Sequence, residues 1–228
     1  MSGLHAGFRW HTVLFDLDGT LIDTSAGIRE ALADALDEMS AGPEGSEDAD
    51  LSLPLGAMIR SVRPAASPAE ESLLIDAFRR HYDSGAWMMA ELCAGALECI
   101  RLLDTSGVRC YVVTNKRQGA AVRILNHFDL SPHLKGVVGQ ADFGDPVPKA
   151  KLAGQLLQSE GIDPATAVVV GDSDHDEVMA VAWGLPFIAL IGGAGPLSPT
   201  PIAPERVEVD SLADVASLVL GEDHGRKP

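Results

Sequence analysis

Short apolar, β-rich runs alternate with helix-like stretches along most of this chain. The first, His11-Thr-Val-Leu-Phe-Asp16, ends in Asp-Leu-Asp-Gly and reads as a buried strand running into a turn. Similar runs follow at Val108 to Thr114, Gly136 to Gly139, Ala167 to Gly171, Phe187 to Ile191 and Val207 to Val209. Strands with no polar face need cover on both sides. The pattern therefore predicts an α/β fold, a doubly wound and mostly parallel sheet between helices.

The rhythm fails once. Between the first strand and Ala90 no convincing strand is found. Ser25 to Met39 places Ile28, Leu32, Ala35, Leu36 and Met39 near the 3.6 period, and Ser67-Pro-Ala-Glu-Glu opens another helix with a cap, a first-turn proline and early acids. The Pro54–Arg63 stretch lies between them, and the turn-rich Gly42 to Asp50 predicts a mobile loop. The expected domains are an α/β core of residues 1–23 and 91–228 and an inserted α-helical domain of residues 24–90. Gly192 to Pro204 reads as a loop and Gly221 to Pro228 as a polar tail.

Composition narrows the function. With 17 basic and 33 acidic side chains the formal net charge is −16, which opposes binding to nucleic acid or anionic lipid. No stretch reaches the ~18–20 unbroken apolar residues of a membrane helix. Met1 to His11 has no long apolar segment or cleavage site, so a cytoplasmic protein is expected. Cys93, Cys99 and Cys110 lack CxxC spacing and read as plain thiols. An anionic substrate would need concentrated local positive charge to overcome the chain's own field.

Asp16 with Asp18, Thr114, Lys149, and Asp172 with Asp176 fall at predicted carboxyl ends of strands or in the loops beyond, the edge where open α/β sheets bind ligands. Each alone has an ordinary explanation as a turn, a cap or a solvated lysine. Together, Asp16-Leu-Asp18-Gly19-Thr20-Leu21, Val112-Val113-Thr114-Asn115-Lys116, Lys149 and Val170-Gly171-Asp172-Ser173-Asp174-His175-Asp176 closely resemble the four motifs of the haloacid dehalogenase-like superfamily.

The resemblance implies a magnesium-dependent phosphatase with a Rossmann-like core and a small helical cap. It makes Asp16 the nucleophile that forms an aspartyl-phosphate, and Asp18 the acid for the leaving oxygen and then the base for water. Mg2+ would be held by Asp16, the backbone carbonyl of Asp18, and Asp172. If a helix begins at the fourth motif, Asp172 and Asp176 share a face and Asp176 adds a direct or water-mediated contact. Thr114 and the Asn115 backbone amide would bind phosphoryl oxygens, and Lys149 would neutralise charge building there. Because this chain reads Pro148-Lys149-Ala150-Lys151, Lys151 stays an alternative for the third motif.

Leu21-Ile22-Asp23-Thr24 and Thr114-Asn115-Lys116 look most like the phosphoglycolate phosphatase-like branch, so a small phosphorylated metabolite is the expected partner. A sugar phosphomutase of the β-phosphoglucomutase type stays the alternative. A phosphonatase needs a cap lysine, and Thr24 to Leu92 contains none. A true dehalogenase generally lacks Asp18, and a signalling receiver would need no insertion. Within the insertion, Arg60, Arg63, Arg79 and Arg80 are candidates for a second substrate anion, Arg60 first, while His81 and Tyr82 read as helix-face packing. Oligomeric state is not written in the sequence, and a homodimer is compatible with it.

Overall fold

The computed structural model describes residues 9–39, 45–51, 53–144, 146–193 and 195–221. Most of the segment read for a leader (1–8), the first part of the expected mobile loop (42–44) and the tail from 222 lie outside these residues. The strands are β1 (Thr12–Phe15), β2 (Ile22–Asp23), β3 (Glu91–Leu92), β4 (Arg109–Arg117), β5 (Gly136–Gln140), β6 (Ala167–Gly171), β7 (Phe187–Leu190) and β8 (Arg206–Val209). The helices are α1 (Ser25–Glu38), α2 (Leu55–Val62), α3 (Pro68–Ser84), α4 (Ala96–Thr105), α5 (Gln118–His127), α6 (Lys149–Ser159), α7 (Asp174–Ala182) and α8 (Leu212–Leu220). Among the described residues, no helix is long and apolar enough to cross a membrane.

Two compact units make up the chain, Met1–Leu21 with Leu92–Pro228, and Ile22–Glu91. In the first, six strands form one parallel sheet in the order β5-β4-β1-β6-β7-β8. β1 lies inside it, with Thr12 opposite Arg109 and Ala167, and Phe15 opposite Val112 and Val170. Val13, Leu14 and Phe15 are wholly buried because alternate residues meet opposite helical layers. Leu14, Tyr111, Val113 and Val169 pack with Leu152 and Leu156 of α6 and Met179 of α7. Each such side chain contributes about 1.5–3 kcal/mol through burial, enough to fix the strand that ends at Asp16.

Helices α1, α2 and α3 build the second unit around Leu32, Leu36, Ile59, Leu74, Phe78 and Tyr82. α3 starts where the sequence places it. The Ser67 hydroxyl accepts from the Glu70 N–H, the Glu70 carboxylate accepts from the Ser67 N–H, and Pro68 takes the first position. The Pro54–Arg63 stretch is the helix α2.

Two expectations change here. A short strand does precede Ala90: β2 pairs with β3, and two residues are too few to leave a periodic signal. The described part of the Gly42 to Asp50 loop is anchored, since Arg29 donates to the carbonyls of Ser46 and Glu47 and both Ser46 and Ala49 are buried. A polar, turn-rich sequence tells how a segment bends, not what it packs against.

Candidate active site

From β1 the chain steps outward through β4 to β5, then crosses back to β6 and outward the other way through β7 to β8. The order reverses at β1 and β6, where an open sheet leaves a crevice at its carboxyl edge. Asp16 leaves β1 and Asp172 leaves β6 at that edge, and the Asp16 N–H still donates to Val170 at 2.9 Å. The chain then turns sharply: the Leu21 N–H reaches the Leu17 carbonyl at 3.0 Å, and Gly19 takes φ 84°, a conformation that glycine adopts without steric cost.

Carboxylate oxygens of Asp16, Asp172 and Asp176 lie within 4.8 Å of one another, and all three residues are buried. Asp172 and Asp176 do not meet by sharing a helix face. α7 begins only at Asp174, so Asp172 sits outside the helix, and Asp176 folds back onto the helix start. There Asp176 accepts from the Ser173 hydroxyl at 2.6 Å and N–H at 3.2 Å. Gly171 makes room for this: a Cβ there would meet the Asp176 carboxyl carbon at 2.3 Å.

The ammonium of Lys149, at the first residue of α6, donates to both Asp16 and Asp176. Lys151 is exposed. Burial and then the neighbouring Asp176 hold the Asp16 carboxyl well above its ordinary range, with Lys149 pulling the other way. Burial also raises Asp172, against the Gly195 N–H that donates to it at 2.8 Å. Burial alone would lower the Lys149 ammonium, but the charges of Asp16 and Asp176 outweigh it and hold it above its usual value. Three crowded, all-oxygen donors with one lysine between them fit a hard divalent cation, which would relieve their mutual repulsion.

Thr114 falls inside β4, where the sequence suggested its end. Regular pairing of β4 with β5 breaks between Val113 and Arg117, so Thr114 lies in the irregular segment. Its buried hydroxyl accepts from the Lys116 N–H at 3.0 Å and stands 3.5 Å from Asp18. Asp18 also pairs with the Lys116 ammonium at 2.9 Å. Asn115 is exposed, its side-chain oxygen 3.5 Å from the Gln140 amide. Gln140 further clamps the Val147 backbone, donating to its carbonyl at 2.8 Å and accepting from its N–H at 2.9 Å, two residues before Lys149.

Sequence reasoning passed over the Lys116 pairing and the Gln140 clamp. A buried-edge glutamine closing the run Gly136-Val-Val-Gly-Gln140 was the available signal for the second. Arg60 lies on α2 in the helical unit, exposed and paired with Glu71 of the same unit. Arg80 and His81 pair with Glu38, and Tyr82 stacks on Phe78 with ring centroids 5.8 Å apart. Cys99 and Cys110 are buried free thiols and Cys93 is half-buried.

The family model described as haloacid dehalogenase-like hydrolase matches residues 13–190. The tyrosine-protein kinase PtkA of Mycobacterium tuberculosis is 33% identical over 80% of this chain, which spans only 62% of that protein's length. Phosphoglycolate phosphatase 1 of Pseudomonas aeruginosa is 27% identical over 92% of this chain and 83% of its own. Among solved structures, a predicted phosphatase from Clostridium acetobutylicum superposes with a TM-score of 0.83 at 23% identity, covering 92% of this chain and 98% of that one.

Proposed function

This chain belongs to the haloacid dehalogenase-like hydrolase family, and from that premise we propose that it is a magnesium-dependent phosphatase hydrolysing a small, phosphoglycolate-like monoester through an aspartyl-phosphate. One observation carries the reading: three buried carboxylates and a buried lysine gather at the carboxyl edge where the strand order reverses. Relatives named phosphoglycolate phosphatase supply the substrate class.

In this reading a carboxylate oxygen of Asp16 forms a bond to phosphorus while the bond to the leaving oxygen breaks. Asp18 gives that oxygen a proton. Asp18 then takes a proton from water as the water oxygen bonds to phosphorus, the bond to Asp16 breaks, and inorganic phosphate leaves. Thr114 and the Asn115 amide orient the phosphoryl oxygens, and the Lys149 ammonium offsets their developing charge. Asp16, Asp172, Asp176 and the Asp18 carbonyl would hold Mg2+, which when bound lets an anionic nucleophile approach an anionic ester.

The proposal assigns the helical unit the role of a cap that chooses among esters. It also includes a cytoplasmic location, which cell fractionation would check, and is compatible with a homodimer, which sizing would check. A panel of phosphorylated metabolites, assayed with magnesium and again after chelation, tests the function. Fast, metal-dependent release of phosphate from phosphoglycolate is expected. Full activity after exhaustive chelation would refute the metal requirement, and transfer between hydroxyls of a sugar phosphate would favour a mutase.

A further inference from the structure

We propose that Gln140 is a positioning residue for the reaction: its side chain fixes the chain that enters α6 and so holds the Lys149 ammonium between Asp16 and Asp176. The proposal rests on the phosphatase reading for what Lys149 does there, and on geometry alone for how Gln140 places it. Gln140 is buried and closes β5, paired with Arg117 just beyond the irregular segment of β4. Its amide takes both backbone polar groups of Val147, accepting from the N–H at 2.9 Å and donating to the carbonyl at 2.8 Å. Val147 lies in Pro146-Val147-Pro148, and its N–H is the only backbone donor of the three, because proline carries none.

The connection from this clamp to the lysine is short and stiff. Pro148, its φ fixed by the ring, stands at −55° with ψ 138°, and a residue before proline, here Val147, is kept extended. α6 starts without a side-chain cap at Pro148, so among the described contacts its entry is fixed by the Gln140 clamp and by Val147 packing on the core. The ammonium ends a flexible stem, so its place depends on where the root of Lys149 is held. The Gln140 amide nitrogen also stands 3.5 Å from the Asn115 side-chain oxygen. One side chain thus joins the lysine's loop to the segment assigned to the phosphoryl oxygens. Gln118 makes a matching pair of bonds, to the Val137 carbonyl at 3.0 Å and from the Gly139 N–H at 2.6 Å, but it holds β5 itself rather than the chain that enters α6.

The test uses Gln140→Met, which keeps the shape and loses both bonds, with Gln118→Met as its comparison. In metal-free protein, denaturant unfolding is followed for Gln140→Met, Lys149→Met and the two together. If Gln140 holds Lys149 against its carboxylates, the double variant should lose less than the sum of the single losses, and additive losses would overturn the proposal. With magnesium and phosphoglycolate, Gln140→Met should lower kcat on the order of 10–100-fold while KM changes little. It should raise the inhibition constant of orthovanadate by a similar factor, since an oxyanion able to take five ligands resembles the phosphoryl group in transit. A merely structural role would lower kcat through the folded fraction, leave the vanadate constant in place and overturn the proposal. So would an equal rise of that constant in Gln118→Met. Where Gln140→Met does not fold, Gln140→Leu carries both comparisons, and Lys149→Gln replaces Lys149→Met where the double variant does not. Failure of the phosphatase reading looks different: the unaltered protein would release no phosphate, or release it undiminished by Asp16→Asn, while the unfolding cycle still decides whether Gln140 places Lys149.

Discussion

In the α/β unit, Asp16, Asp172, Asp176, Glu177 and Lys149 are all buried, and each carboxylate meets a cation or a backbone N–H. In the helical unit, Arg60 and Arg80 pair with Glu71 and Glu38 while remaining 59% and 60% exposed outside a core that holds no buried charged residue among those described. The same residue types thus serve different ends. Buried charges interact strongly and are costly to leave unpaired, whereas exposed pairs are screened and worth ~0–1 kcal/mol. Among the described residues, buried charge is concentrated in the first unit, and the second carries its charged pairs at the surface.

The largest expected effect is that of Asp16→Asn, which should abolish phosphate release while circular dichroism reports an intact fold, because the amide keeps the shape and loses the nucleophile. Retention of a tenth of the activity would break the contrast at its strongest point. Lys149→Met should follow, since it strands two buried carboxylates. In metal-free protein we expect a loss of about 3–5 kcal/mol in denaturant unfolding, against almost none for Lys151→Met on the exposed side of the same helix.

Magnesium should stabilise the unaltered protein by about 2.7 kcal/mol at a hundred times its dissociation constant, read as a rise in Tm that Asp172→Asn removes. A Tm unmoved by magnesium would detach the acidic cluster from metal binding. Gly171→Ala should cost about 1–3 kcal/mol through overpacking and weaken that magnesium response, because the new methyl occupies the place of the Asp176 carboxyl. The smallest effect belongs to Arg60→Ala, at most ~1 kcal/mol in stability. Its informative readout is the ratio of kcat/KM between phosphoglycolate and an aryl phosphate. A change of that ratio on the order of tenfold would place substrate choice in the helical unit, and an unchanged ratio would leave it to the loops of the α/β unit.

Glu177 shows how far burial can hide a role from a linear reading. Next to Asp176 it looks like one more acid in a helix's first turn. In the fold it is fully buried, accepts from the N–H groups of Ile202 and Ala203, and pairs with Arg206 at 3.2 Å. It therefore ties the Gly192 to Pro204 loop, whose Gly195 N–H meets Asp172, to the helix that carries Asp176. No spacing rule connects residues 177 and 206.

By itself the sequence determined whatever depends on neighbours a few residues apart. The apolar runs marked the core strands, Ser67-Pro-Ala-Glu marked the start of α3, and Asp16-Leu-Asp18-Gly19 marked a strand ending in a glycine-requiring turn. Backbone sterics and side-chain periodicity act at that range, so they leave a local trace. The tertiary structure alone decided which lysine of Lys149 and Lys151 turns inward, that Asp176 reaches Asp172 from a helix cap, and that Lys116 pairs with Asp18. Those contacts join residues brought together by strand order and by a break in the β4–β5 register, and no local propensity encodes either.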